Sequence, residues 1–338
     1  MRKIYVMKKI VILVAGSALI LLGCSKSNKS GPAANNGDSA SPSSASGGAA
    51  AGPTELKLKW QAGKQYDMKM ELNQSSDYAV PGHPTHQELK LTQGLSYSPL
   101  KDVDNGGHQV ELKFTSQDLD LTQNGKEIVS YDSTQKTPVQ PGSPSASVAA
   151  AMGAMLDAPI DYTFAADGTV QKVDGLDSLA SRITAAVPDQ RQRASFQQLY
   201  SEDTMKQYGD FSRALPDHPV SVGDSWTSSQ DITSPAGVAT IDGTYTFKDW
   251  EQHSGHNCVH ILVNGDIKTK SANAASIGAV VKITKGAING DAWFDPDLGM
   301  FVDSNTDQDM TLDIATRQAD ITEHMKQNVE MSLLNVNP

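Results

Sequence analysis

Apolar and polar residues alternate with a period of two along most of the chain beyond residue 54. Leu56-Lys57-Leu58-Lys59-Trp60 and Tyr66-Asp67-Met68-Lys69-Met70-Glu71-Leu72 open the pattern. Val110 to Phe114, Thr240 to Phe247, Val259 to Val263 and Met310 to Ile314 repeat it. One apolar face per segment predicts half-buried antiparallel strands. Turn chemistry at Asp104-Asn105-Gly106-Gly107, Asn124-Gly125, Asp167-Gly168, Asn264-Gly265 and Asn289-Gly290 predicts the breaks between them. Helical spacing is confined to the middle of the chain. Ser145 to Leu156 is rich in Ala and Met, and Gly175 to Tyr208 carries Leu176, Leu179, Ile183, Phe196, Leu199 and Tyr200. Pro188 divides this second stretch into two predicted helices.

The strand pattern occurs twice. Gly107-His108-Gln109-Val110-Glu111-Leu112-Lys113-Phe114 matches Gly255-His256-Asn257-Cys258-Val259-His260-Ile261-Leu262 at an offset of 148. Gly63-Lys64-Gln65-Tyr66 matches Gly223-Asp224-Ser225-Trp226, and Phe164 with Asp167-Gly168 matches Phe294 with Asp297 and Gly299. The expectation is a mainly β, β-rich α+β fold of two related antiparallel units, residues 54–174 and 214–338, joined by a helical connector at 175–213. The units pack as a sandwich or run on as one wide curved sheet, with helices covering one face.

The first 23 residues read differently. Arg2, Lys3, Lys8 and Lys9 precede an apolar or small run from Ile10 to Leu22, with no acid before Cys24. This run is shorter than the about 20 residues a spanning helix needs, and basic flank plus short apolar core is the pattern of a secretory signal. Translation from Met1 or from Met7 gives the same pattern. Residues 25 to 53 are almost wholly Ser, Ala, Gly, Asn, Pro and Lys. Such a segment buries too little apolar surface to order itself, and its average reach as a flexible coil is roughly 30 Å.

Charge and cysteine count narrow the partners. Removing the leader's four basic residues takes the net charge from −11 to −15. That balance argues against nucleic acid and against electrostatic docking on anionic lipid. Cys24 and Cys258 are the two cysteines of the chain. With Cys24 lipidated, no intramolecular disulfide forms.

The densest set of metal-capable side chains is His253, His256, Cys258 and His260. On a strand His256, Cys258 and His260 share one face, which makes them the candidate metal ligands. The offset of 148 sets Cys258 and His260 against Val110 and Leu112, which reads as a half-buried apolar face with Cys258 as a small hydrophobe. Gly223-Asp224-Ser225 resembles the nucleophile block of one class of esterases, but no base or Gly-x-Ser-x-Gly elbow accompanies it, and a turn into a strand anchored by Trp226 is the plainer reading. Asp295, Asp297 and Gly299, followed by Asp303, Asp307 and Asp309, hint at calcium but lack the remaining ligands of an EF-hand loop; a hairpin turn explains them. His83-Pro84-Thr85-His86 reads as a solvated loop. The methionines, Met152 and Met155 among them, read as core filler or as the lining of a pocket for an acyl chain.

Leu21-Leu22-Gly23-Cys24 resembles the lipobox of bacterial lipoproteins, which implies a diacylglycerol on Cys24 and cleavage before it. Ser25, standing where inner-membrane retention signals carry Asp, implies by the same resemblance an outer-membrane address, on the periplasmic or the surface face. Trp60-x-x-Gly63-x-x-Tyr66 and Pro219-Val220-Ser221-Val222-Gly223-Asp224-Ser225-Trp226 resemble a family of bacterial lipoproteins of unknown function. A curved sheet with covering helices is similar in architecture to carriers of the LolA, LolB and LppX kind. The expectation is a non-catalytic envelope lipoprotein without cofactors, held to the membrane by Cys24, which binds an envelope protein or forms part of the envelope. The alternative is a carrier or sensor of a hydrophobic ligand held between sheet and helices.

Overall fold

A computed structural model describes residues 52–80, 83–135, 143–234, 236–272, 278–317 and 319–338. The leader, Cys24 and nearly all of the linker lie outside these residues. Among the described residues no helix is long and apolar enough to cross a membrane.

The strands are β1 (Gln65–Val80), β2 (His83–Val103), β3 (Gly107–Gln123), β4 (Lys126–Asp132), β5 (Ile160–Phe164) and β6 (Val170–Asp174), then β7 (Ser225–Ser234), β8 (Gly237–His253), β9 (His256–Ala272), β10 (Ala279–Asp295), β11 (Met300–Thr316) and β12 (Asp320–Asn337). Helices α1 (Pro144–Met155), α2 (Leu176–Ala186), α3 (Gln190–Leu199) and α4 (Glu202–Gly209) lie between the halves in sequence. All twelve strands join one antiparallel sheet in the order β6-β5-β3-β2-β1-β12-β11-β10-β9-β8-β7, with β4 pairing the far end of β3. Of the two packings open to the sequence, the chain takes the wide sheet and not the sandwich. Its first and last strands form the central seam, with Leu72 opposite Val329 and Gln74 opposite Gln327.

Several sequence expectations give way to longer strands. Asn264-Gly265 and Asn289-Gly290 are not turns; they sit inside β9 and β10, where Asn264 faces Asn289. A Cβ on Gly265 would stand 2.5 Å from the Asp242 carbonyl oxygen, and one on Gly290 would stand 2.2 Å from that of Asn305. Glycine is therefore required by close backbone approach within a coiled strand. Leu56 to Trp60 is not a strand either. It runs extended beside the β10–β11 turn, where the Lys59 N–H donates to the Gly299 carbonyl (2.9 Å) and buries Leu56 and Trp60. Gly175 to Tyr208 yields three helices rather than two, because Ser201 accepts from the Thr204 N–H and starts α4 anew. The β2–β3 and β8–β9 hairpins also differ in register: Tyr97 pairs with Leu112, but Tyr245 pairs with Val263.

One face of the sheet carries the core, and we call it the inner face. Tyr66, Met68, Met70 and Leu72 of β1, Val259, Ile261 and Val263 of β9, and Phe294 of β10 are buried there in one cluster. Ala151, Met152 and Met155 of α1, Leu179 and Ile183 of α2, and Met205 and Tyr208 of α4 belong to the same cluster. Trp60 is its aromatic hub, 5.3 Å from Tyr66 edge to face and 5.5 Å from Phe164. Two tyrosine hydroxyls tie α4 to the sheet: Tyr97 donates to the Tyr208 carbonyl (2.7 Å) and Tyr162 to that of Met205 (2.6 Å). Burial pushes the pKa of both phenols far up, so they stay protonated donors. A second apolar cluster lies at the other end of the same face, built from Tyr78, Ile232, Ile241, Ile267, Met310, Leu312 and Met325, among others.

Candidate functional site

Between the two apolar clusters the inner face turns polar. Along β1 the inward positions run Met70, Leu72, Gln74, Ser76, Tyr78, and all are buried. Along β12 they run Val329, Gln327, Met325, Glu323, Ile321, again all buried. Gln87 of β2 and Thr306 of β11 extend this belt to either side. Alternation puts these residues inward for the same reason as their apolar neighbours, so their side chains leave water with the core.

Their hydrogen bonds are incomplete. Gln74 donates to Ser76 Oγ (3.2 Å), but its Oε1 has no partner among the described residues. Both amide atoms of Gln87 and of Gln327, Thr306 Oγ1 and Glu323 Oε1 are also buried without one. At about 1–3 kcal/mol per unmet group, these atoms together rival the net stability of a whole domain, about 5–15 kcal/mol. Burial raises the pKa of the Glu323 carboxyl above its ordinary value, against the opposing bond from Ser76, which favours its neutral form. By contrast Gln93 and Gln117 are joined to each other (3.2 Å), to the Tyr208 hydroxyl (3.1 Å) and to the Met152 carbonyl (3.2 Å). The belt is thus complete where α1 and α4 reach it and open at the central seam. A cavity of about 30 Å³, lined by Phe211, Tyr245, Ile261, Val263, Phe301 and Met331 among others, lies on the same face. That is the volume of roughly one water molecule.

The outward face of the central strands forms an open trough of about 560 Å³, lined by residues such as Asn73, Lys90, Asp307, Asp309, Lys326 and Asn328. Asp307 and Asp309 point there from β11, away from the Asp295–Gly299 turn. In that turn Asp295 Oδ1 accepts from the Asp297 and Leu298 N–H groups (2.8 and 3.0 Å), the hairpin geometry the sequence implied.

The His253–His260 segment also faces outward. Val259 and Ile261 fill the core, so Cys258 and His260 point to the opposite face. The sequence alignment with Val110 and Leu112 misplaces them because of the register difference between the hairpins. Of the three candidate ligands, His256 Nδ1 is taken by Asp295 Oδ2 (2.8 Å). Cys258 is fully buried, and burial, then Asp295 and Glu251, push its thiol up to about 12. His260 remains. It is 4% exposed, its Nε2 bonds Asp291 Oδ1 (2.6 Å), and its ring stacks on Trp293 at 4.9 Å. His260 Nδ1 lies 3.3 Å from Asp249 Oδ1 and 3.2 Å from Glu251 Oε2, yet hydrogen-bonds to neither. Sequence reasoning missed Asp249 and Glu251. A bulge between Phe247 and Asp249 turns them outward, and nothing in the residue pattern marks it. His253 also stacks on Trp293 (4.1 Å) and meets Asp303 Oδ2 (3.1 Å).

The other candidates resolve into structure. Ser225 Oγ pairs with Thr246 Oγ1 (2.8 Å) and Asp224 Oδ2 accepts from the Ser221 N–H (2.8 Å), so the segment forms a turn into β7. Gly223 takes the left-handed φ of 93° that this turn requires. His83 to His86 begin β2 rather than forming a loop, and His86 Nδ1 meets Asp77 Oδ1 across the strand pair (2.8 Å).

The fold and these sites define a mainly β protein built on one open twelve-stranded sheet. Residues 105–301 match DUF6263, a family of unknown function, and the chain belongs to that family. Comparison with curated proteins gives no match. Among solved structures, the chain is similar to a lipovitellin studied for its lipid–protein interactions, with a TM-score of 0.44 and 10% identity over 82% of this chain. It spans only about a quarter of that protein, 26% of its length. It is also similar to an exported protein of Bacteroides fragilis with a YmcC-like fold, with a TM-score of 0.27 and 11% identity over 84% of this chain and 100% of that one. DynF, from the dynemicin biosynthesis pathway of Micromonospora chersina, gives a TM-score of 0.20 at 6% identity, over 84% of this chain and 90% of its own. Likenesses at these scores do not carry a function.

Proposed function

We propose that the protein is a lipid-anchored envelope protein that works by binding rather than catalysis, and that its ligand is a neutral amphiphile taken against the inner face of the sheet. The observation that carries this reading is the belt of buried polar atoms at the β1–β12 seam, left without protein partners between two apolar clusters. Gln74, Gln87 and Gln327 offer both donors and acceptors, and the neutral form of Glu323 adds a donor. Among the described residues no Lys or Arg is buried, so nothing in the interior compensates an anionic headgroup. An amide, ester or hydroxyl flanked by hydrocarbon meets both the belt and the clusters beside it.

In this reading the helices between the halves form the movable cover of the inner face. The separate cavity of about 30 Å³ beside Phe211 is too small for such a ligand, so entry requires the helices to shift. The lipid on Cys24, the flexible linker and an outer-membrane address complete the proposal; they rest on the leader and the Ser/Ala/Gly composition. The two halves descend in this view from one duplicated β unit.

A fluorescently labelled monoacylglycerol tests the proposal. Saturable binding by the detergent-purified protein, weakened at least tenfold by Gln327→Leu, is the expected result. Equal retention by the variant, or none by the parent, rules against the belt as the binding element.

A further inference from the structure

The outward cluster on β8, β9 and β10 is independent of the inner face. It brings together one imidazole nitrogen and two carboxylate oxygens. His260 Nε2 is engaged by Asp291 Oδ1 (2.6 Å), so Nδ1 is the ring atom left to meet a ligand. Nδ1 lies 3.3 Å from Asp249 Oδ1 and 3.2 Å from Glu251 Oε2 without a hydrogen bond to either. The three ligand atoms lie within 4.8 Å of one another. In a tetrahedral zinc site with bonds of about 2.0–2.1 Å, ligand atoms stand roughly 3.3 Å apart. The separations from His260 Nδ1 match that edge.

The supporting groups are also in place. Trp293 Nε1 donates to Glu251 Oε2 (2.9 Å) and orients that carboxylate. The Trp293 ring also stacks on His260 and fixes its plane. The bulge after Phe247 is what allows the site: it turns Asp249 and Glu251 outward while Phe247 and Trp250 pack with the core. Asp249 then stands directly opposite His260 in register.

We infer that Asp249 Oδ1, Glu251 Oε2 and His260 Nδ1 form a site for one divalent transition-metal ion of the zinc class. One imidazole and two carboxylates suit such an ion, and the half-exposed carboxylates leave a coordination position for water. Cys258 takes no part, because its side chain is fully buried and lies outside this group of ligand atoms.

The test is calorimetric titration of zinc into the full-length protein, purified in detergent and stripped with EDTA. One zinc per chain at micromolar affinity or tighter is expected. Asp249→Asn and Glu251→Gln, both at partly exposed side chains, weaken it at least tenfold, while His256→Ala leaves it unchanged. Asp291→Asn weakens it about 10–100-fold through the orientation of His260. Cobalt in the same site gives an absorption spectrum without a thiolate charge-transfer band. Undiminished affinity in Asp249→Asn and Glu251→Gln, a thiolate band, or a doubly protonated His260 at neutral pH with no zinc uptake overturns the assignment.

Discussion

Gln74 on β1 and Gln327 on β12 lie directly opposite each other at the seam, and among the described residues nothing satisfies Gln74 Oε1 or either amide atom of Gln327. A buried amide of this kind destabilises the empty fold and is retained when something else completes its bonds. Gln327→Leu therefore raises the stability of the ligand-free protein by about 1–3 kcal/mol, read from denaturant unfolding, because it removes an unmet group without leaving a cavity. A loss of stability instead would show that Gln327 is satisfied in the empty fold.

Glu323 gives the belt a pH signature. Its folded pKa is raised from the ordinary value near 4.5 by burial, so between that value and the folded one the native state holds more protons than the unfolded chain. This residue's contribution to stability is therefore most favourable in mild acid and declines as pH rises through the folded value. Glu323→Gln abolishes that slope and raises the melting temperature at neutral pH. Melting curves from pH 4 to 8, compared between the two proteins, check it.

Gly290 marks the place where β10 crowds β11. Gly290→Ala would set a Cβ 2.2 Å from the Asn305 carbonyl oxygen and 2.8 Å from Thr306 Cα, so backbone has to shift. The expected cost is about 1–3 kcal/mol or more. Gly255→Ala, at an open turn, serves as a comparison whose cost comes from its φ of 86° alone. Equal costs at both positions would show that crowding adds nothing.

Cys258 is expected to be inert in the native protein. With its thiol pushed up to about 12 by burial and by Asp295 and Glu251, almost no thiolate exists at neutral pH. Iodoacetamide labels it only after denaturation. Rapid labelling of the native chain would contradict both its burial and its exclusion from the metal site.

The strands were legible wherever one face is apolar and the other polar, as in Tyr66 to Leu72 and Met310 to Ile314. Their lengths were not, because Asn264-Gly265 and Asn289-Gly290 have turn chemistry but serve close strand approach. Leu56 to Trp60 alternates like a strand although its backbone pairs only at Lys59 and, nearby, Thr54. Ser201 is an ordinary helix cap, readable in principle, yet the apolar spacing on both sides hid the break. The inner belt was invisible in a different way. Gln74, Gln87 and Gln327 look like outward polar positions until the register places them beside Leu72 and Val329. The outward cluster was half legible: His260 stood out, but Asp249 and Glu251 reach it only through a one-residue bulge.

The most direct measurement of the central claim is native mass spectrometry of the protein purified from the envelope in mild detergent. The expected spectrum of the parent shows an added mass of several hundred daltons that organic solvent releases as a neutral lipid, and Gln74→Leu/Gln327→Leu loses it. A parent whose mass is that of the lipidated chain alone, unchanged in the double variant, would contradict the assignment of the inner face as a ligand site.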